Sequence, residues 1–196
     1  VESYLGKKII RLNARAGFEH WLKVYGGYLP GPRMRSCTKQ LKLKPFEKYI
    51  GDESVISYVG IRADEDRVGY LTAKDTITTV FPFKEDGVDY DGVMKILNES
   101  GIGLPPYMEW GRTHSGCYFC FFQRKSEWVG LSQNHPELFE EAKKYEKVEE
   151  GYTWQQGESL SELIEPERVK EILEGEAKRK EAASARRKPQ TLAEMF

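Results

Sequence analysis

The sequence predicts an α/β protein: a partial parallel sheet of about three strands with flanking helices, a Cys-rich metal-binding loop and a helical C-terminal region. Three observations carry this. The run Val55-Ile56-Ser57-Tyr58-Val59-Gly60-Ile61 is almost continuously apolar, as in a parallel-sheet strand covered on both faces. Cys117-Tyr118-Phe119-Cys120 lies in an aromatic-rich stretch that keeps neither helical nor strand periodicity. From Pro136 onward, apolar residues return at helical spacing. These changes in pattern divide the 196 residues into an α/β portion over 1–122, a helical region over 123–187 and a flexible tail or docking peptide over 188–196.

The first strand is expected at Lys8–Asn13, short and β-branched, followed by an aromatic-rich helix from Phe18 to Tyr25 that Gly26-Gly27 ends. A loop with two prolines, Leu29 to Thr38, leads into a helix capped by Ser36 or Thr38, which brings Leu41, Pro45, Phe46 and Tyr49 to the core. Pro45 predicts a kink there. After the Val55–Ile61 strand, Arg62-Ala63-Asp64-Glu65-Asp66-Arg67 puts five charges at a strand's carboxyl end, where open α/β sheets bind ligands. Ile77–Phe81 is the third strand, and Asp89–Ser100 a helix closed by Gly101. Further helices are expected at Glu127–Ser132, Pro136–Glu149 and Pro166–Ala185, the second with Leu138, Phe139, Ala142, Tyr145 and Val148 on one face. The irregular segment 103–122 must be held by something other than a backbone ladder, and a bound metal would do it.

Apolar residues make up 39% and charged residues 31%, with no apolar run near the ~20 residues of a membrane span. The N-terminal residues show no secretory pattern. A cytoplasmic protein without membrane contact is therefore expected. Net charge is −1, but thirteen acidic residues stand against five basic ones between 137 and 176, and a basic tail comes after them with Lys178, Arg179, Lys180, Arg186, Arg187 and Lys188. Such runs are solvated helix surface or a contact for nucleic acid or a protein partner.

Cys37, Cys117 and Cys120 cannot complete a disulfide framework, and a Cys-x-x-Cys turn can present two sulfurs to one ion while a distant segment supplies the rest. Soft thiolates select zinc or an iron–sulfur cluster. A fourth ligand would be His135, fixed just before Pro136, or His114 in the loop. The alternatives are that Cys37 is a small buried apolar residue beside an incidental pair, or that the pair is a redox motif. Arg35 and Lys42 beside Cys37, and Arg62 and Arg67 around Asp64-Glu65, suit phosphate or sulfate oxygens through paired hydrogen bonds. Arg62 and Arg67 can equally offset the neighbouring carboxylates. The common phosphate-loop, dinucleotide and zinc-protease signatures are absent.

Taken in order, Arg35-Ser36-Cys37-Thr38-x-x-Leu41-Lys42-x-x-Pro45, Val59-Gly60-Ile61-Arg62-Ala63-Asp64-Glu65-x-x-Arg67, Ser115-Gly116-Cys117-x-x-Cys120 and His135-Pro136-Glu137-Leu138-Phe139 resemble the phosphoadenosine phosphosulfate reductase family. That family belongs to the adenine-nucleotide α-hydrolase-like superfamily of ATP pyrophosphatases, and the likeness is to its bacterial and phage branch associated with DNA modification. The resemblance runs from Lys8 to Phe139. It implies a parallel-sheet nucleotide-binding fold in which Arg62 and Arg67 approach the phosphate or sulfate of ATP or a sulfonucleotide, and a metal centre, a four-iron cluster in some relatives. Here Thr38 stands after Cys37 where those relatives have a second cysteine, so zinc or a His-completed site competes. Two further motifs of the family, its Ser-Gly-Gly-x-Asp-Ser phosphate loop and its terminal Glu-Cys-Gly nucleophile, are not in this sequence. The expectation is a C-terminal portion, completed by a phosphate-loop half or partner subunit and inactive alone, since no cysteine comes after Cys120 to attack a sulfonucleotide.

Overall fold

The computed structural model describes residues 1–67 and 74–187. The expected tail at 188–196 lies outside the described residues, as do the side chains of Arg186 and Arg187. The chain divides into two units, one of Val1–Trp21 with Ser36–Pro105 and the other of Leu22–Arg35 with the chain from Pro106 onward. The partition falls at Pro105, earlier than the change in pattern near Phe122.

In the first unit the expected strand at Lys8–Asn13 does not form; the segment is irregular. It comes after a one-turn helix, α1 (Glu2–Leu5), whose Glu2 carboxylate accepts the Ile9 N–H at 2.7 Å. Ile9 and Ile10 stay exposed, so the β-branched side chains have no layer to pack on and propensity alone does not make a strand. The helix α2 (Phe18–Val24), whose residues from Leu22 on count with the second unit, ends at Gly26 and Gly27, both at positive φ. Three further pieces form one helical path: α3 (Ser36–Thr38), a π-helical turn Lys39–Leu43 and α4 (Lys44–Ile50). The kink expected from Pro45 takes the form of this π turn, in which the Lys44 N–H bonds to the Lys39 carbonyl. Proline has no N–H, and its ring would press on the carbonyl four residues back; widening the preceding turn relieves both. Ile50 is buried at the end of α4, whereas Tyr49, expected at the core, is exposed.

Among the described residues two strands form instead of three. β1 (Val55–Tyr58) and β2 (Ile77–Val80) pair in parallel, Val55 opposite Ile77 and Tyr58 opposite Val80. β1 is not covered on both faces as its composition suggests: Ile56 and Tyr58 are 60% and 72% exposed, while Val55 and Ser57 are half-buried. A short α5 (Pro82–Glu85) leads to α6 (Tyr90–Ser100). The Asp89 carboxylate caps α6 by accepting the Gly92 N–H at 2.9 Å, and Gly101 closes it in the left-handed conformation. Among the described residues the buried apolar side chains of this unit are Ile50, Ile61 and Ile77.

The second unit holds the larger core. It contains α7 (Lys125–Asn134), α8 (Pro136–Lys143), α9 (Leu160–Leu163) and α10 (Pro166–Arg187). Trp128, Leu131, Phe139, Ala142, Leu160 and Leu163 have essentially no exposed surface. α8 stops at Lys143, six residues before the expected end, and Val148 is exposed in a separate 3-10 turn. The Glu146 carboxylate organises the chain between α8 and α9 by accepting the Trp154 and Leu160 N–H groups, both at 2.9 Å; burial pushes its carboxyl above the usual carboxylate range. Glu158 ties two helices together by pairing with Arg168 on α10 and Lys125 at the start of α7. The Arg168 hydrogen bond is the larger of the causes holding its carboxyl below the usual range.

No helix of the described residues is long and apolar enough to cross a membrane.

Two helical glycines separate packing from propensity. A Cβ on Gly130 in α7 would lie 2.3 Å from the Trp110 carbonyl oxygen, whereas one on Gly175 in α10 would meet nothing within 4 Å. Gly175→Ala is expected to raise stability by roughly 0.5–1 kcal/mol. Gly130→Ala is expected to lower it by about 1–3 kcal/mol, because the backbone carbonyl cannot yield. Urea denaturation midpoints moving the same way in both variants would contradict this packing.

Candidate functional site

The Cys-x-x-Cys segment is a hydrogen-bonded turn in which the Cys120 N–H donates to the Cys117 carbonyl at 3.1 Å. A turn of this kind holds its first and fourth residues within about 7 Å, close enough for two sulfurs to share one ion. Cys117 is exposed and Cys120 half-buried, and both are free thiols.

What holds the turn is a set of buried polar side chains that the expectation of a metal did not include. Glu127, on the first turn of α7, is fully buried. Its Oε1 accepts the Thr113 N–H at 2.8 Å and the Thr113 hydroxyl at 2.7 Å, and its Oε2 accepts the Arg124 N–H at 3.0 Å. Two of these bonds fasten the irregular segment to the helix; the third is the backbone half of a capping box. Arg112 is 4% exposed and donates from its two terminal nitrogens to the carbonyls of Gly116 at 3.2 Å and Cys117 at 2.7 Å. Its guanidinium also lies 5.5 Å from the Trp110 ring centre. At the far end, Gln123 is buried and donates to the Tyr118 carbonyl, while Gln155 donates to the Gln123 carbonyl at 3.0 Å. Phe119 stacks on Trp154 at 5.8 Å and meets Tyr145 edge-on at 5.5 Å. Phe119 is thus spent on packing, and the polar side chains on backbone groups that have no ladder.

Of the expected metal ligands, Cys117 and Cys120 come together. Cys37 belongs to the first unit and the pair to the second. His135 joins α7 to α8, with its ring edge-on to Trp110 at 5.7 Å and Nδ1 3.9 Å from Glu137. His114 lies beside Thr113, its Nδ1 3.8 Å from Glu127. Among the described residues no three His, Cys, Asp or Glu side chains are grouped so as to hold a metal ion. The turn therefore groups two soft donors, short of the four ligands that a tetrahedral site needs.

The expected anion-binding residues are distributed similarly. In the first unit Arg62 and Arg67 converge on one loop, but on its carboxylates. Arg62 forks onto Asp64 at 2.8 and 3.2 Å and lies 3.6 Å from Glu65, and Arg67 reaches Glu65 at 2.6 Å. The Asp64 hydrogen bond raises the Arg62 pKa further, and the guanidinium stacks 5.4 Å from the Tyr90 ring. Of the two readings that the sequence leaves open for these arginines, their geometry in the described residues is internal pairing. Lys42 is exposed on the π turn. In the second unit Arg35 is exposed, donates to the Pro32 carbonyl at 3.2 Å and lies 5.1 Å over the Phe122 ring.

No family model matches this chain, and no solved structure matches it. An uncharacterized protein of Methanocaldococcus jannaschii, MJ0066, is 29% identical over an alignment of 161 residues, which covers 76% of this chain. The chain spans 31% of the length of that relative.

Replacing Glu127 by Gln keeps the shape but turns one acceptor oxygen into a donor facing an N–H or hydroxyl. A loss of about 1–3 kcal/mol is expected from a buried polar group left without its partner. The accompanying sign is faster limited proteolysis between 112 and 123 in the purified variant. Wild-type stability and wild-type cleavage would mean that the loop is held elsewhere.

Proposed function

We propose that this chain is part of a phosphoadenosine phosphosulfate reductase-like enzyme that acts on or through an adenine nucleotide or sulfonucleotide, by hydrolysis at the nucleotide α-phosphate or by sulfur transfer. Its metal centre, zinc or a four-iron cluster, is held by Cys117 and Cys120 with Cys37 as the third sulfur. The observation that carries this reading is the Cys-x-x-Cys turn, whose two thiols stand three residues apart on a backbone already gripped by Arg112 and Gln123. Such preorganisation suits a soft ion, which gains most from ligands that need no rearrangement. The order of the four motifs, from Cys37 to His135, supplies the family and the nucleotide. When bound, the centre would supply a cross-link between the segments that carry its ligands.

In this reading Asp64 and Glu65 keep Arg62 and Arg67 oriented until phosphate or sulfate oxygens replace them, and Arg35 and Lys42 add charge to the same class of ligand. Arginines so placed stabilise negative charge that grows in a transition state. A phosphate loop from another segment or subunit completes the nucleotide pocket. Reduced cysteines serving as ligands suit the cytoplasm.

A second reading, a metal-stabilised module that binds nucleic acid or a partner without catalysis, is favoured by α10. Its residues from Lys178 to Ala185 are all exposed and include Arg179 and Lys180.

Protein purified without oxygen or chelator is expected to hold roughly one zinc or one cluster per chain by elemental analysis and visible absorption, lost in Cys117→Ser and in Cys37→Ser. Absence of both metals from the wild type removes the centre. Calorimetric binding of an adenine nucleotide that disappears in Arg62→Ala supports the enzyme reading. Salt-sensitive DNA or RNA binding that survives Arg62→Ala but falls when 177–196 are removed supports the module.

A further inference from the structure

Cys117 and Cys120 share one rigid piece of backbone but differ in their access to solvent. The Cys117 carbonyl accepts twice, from the Cys120 N–H at 3.1 Å and from Arg112 at 2.7 Å, and the Cys120 carbonyl accepts the Gln123 N–H at 2.9 Å. Between the two cysteines Phe119 is stacked on Trp154. A turn closed in this way keeps its end Cα atoms within about 7 Å, which is the range that a disulfide spans. Both thiols are free, Cys117 exposed and Cys120 half-buried. Among the described residues no third His, Cys, Asp or Glu is grouped with them. Exchange between a dithiol and a disulfide needs no third group and nothing from the first unit.

We propose that Cys117 and Cys120 form a reversible thiol–disulfide site whose exchange partner is a low-molecular-weight disulfide, with Cys117 as the attacking sulfur and Cys120 as the resolving one. This inference concerns the metal-free chain and does not rest on the metal reading above.

The exposure of the two sulfurs sets the order of events. Cys117, which an external molecule can reach, attacks one sulfur of the small disulfide; a Cys117–sulfur bond forms, the original disulfide breaks and one small thiol leaves. Cys120 then attacks the Cys117 sulfur, the bond between the two cysteines forms and the second small thiol leaves. Two electrons pass from the pair to the small disulfide, and the two cysteine protons end on the released thiols. The held turn makes the second step intramolecular and favours it over a lasting mixed disulfide. In the reverse direction a small thiol attacks Cys117, and the Cys120 sulfur departs with the electron pair beside a fixed cation. A Cβ on Gly116 would lie 3.0 Å from the outer guanidinium nitrogen of Arg112 and 3.7 Å from the Cys120 sulfur, so both stand against the same point. Negative charge that grows on a leaving atom is stabilised by such a neighbour.

Oxidised glutathione is the probe. The full chain as wild type, Cys117→Ser and Cys120→Ser is reduced, freed of metal by chelator, mixed with the probe, quenched with acid at intervals and mapped by peptide mass spectrometry. The wild type is expected to lose two hydrogens within the peptide that carries both cysteines and to keep no glutathione there. Cys120→Ser is expected to hold glutathione on Cys117, and Cys117→Ser to take it up on Cys120 about tenfold more slowly. Lasting glutathione on both cysteines of the wild type, a disulfide from either to Cys37, or two thiols that stay reduced in excess probe overturns the site. Equal rates in the two variants, or a faster Cys120, overturns the assigned order.

Discussion

The carboxylate of Glu127 is the constraint on which the rest of the second unit depends. It sits fully out of water and accepts three hydrogen bonds, two from Thr113 and one from the backbone of Arg124. An anion in that position is tolerable because every donor points at it and because it stands on the first turn of α7, where the helix dipole favours negative charge. The arrangement links an irregular segment to α7, the helix that buries Trp128, Val129 and Leu131. Trp128 and Leu131, within four residues of Glu127, show no exposed surface.

From that anchor the loop is built outward in two directions. Thr113 fixes the backbone next to Arg112, and Arg112 in turn grips the carbonyls of Gly116 and Cys117. On the other side Gln123 and Phe119 tie the turn to the segment around Trp154 and Gln155. A Cys-x-x-Cys turn held at both ends by protein groups has its shape before any ligand arrives, and a ligand then adds stability in proportion to its affinity. The first unit is made differently. Its paired strands leave Ile56 and Tyr58 in solvent, and its charged loop after β1 is closed upon itself by Arg62, Asp64, Glu65 and Arg67.

Helices with strong punctuation are legible in the residues: Asp89 and Gly101 bound α6, and Pro136 opens α8. The parallel pairing of Val55–Tyr58 with Ile77–Val80 agrees with two of the three expected strands. Lys8–Asn13 misleads because β-branched residues need a partner strand, which local sequence does not supply. The loss of periodicity over 103–122 marks an irregular segment, as the structure has it, but composition points to a metal as its support and passes over Glu127 and Arg112. A signal is present in Arg124-Lys125-Ser126-Glu127, where an acidic residue at the third helical position can reach back to the cap. Nothing in the spacing shows that the same carboxylate would also take Thr113, because that bond joins residues 14 apart across a chain reversal.

Hydrogen–deuterium exchange of the metal-free chain, resolved residue by residue, is the most direct test of whether protein side chains alone shape the loop. If they do, the amides of Arg112, Thr113, Cys120 and Gln123 are protected with chelator present, and metal adds to that protection. Exchange of those four amides at the rate of an unstructured peptide until zinc or iron is supplied would contradict it, and would return to the metal the organising role assigned to Glu127.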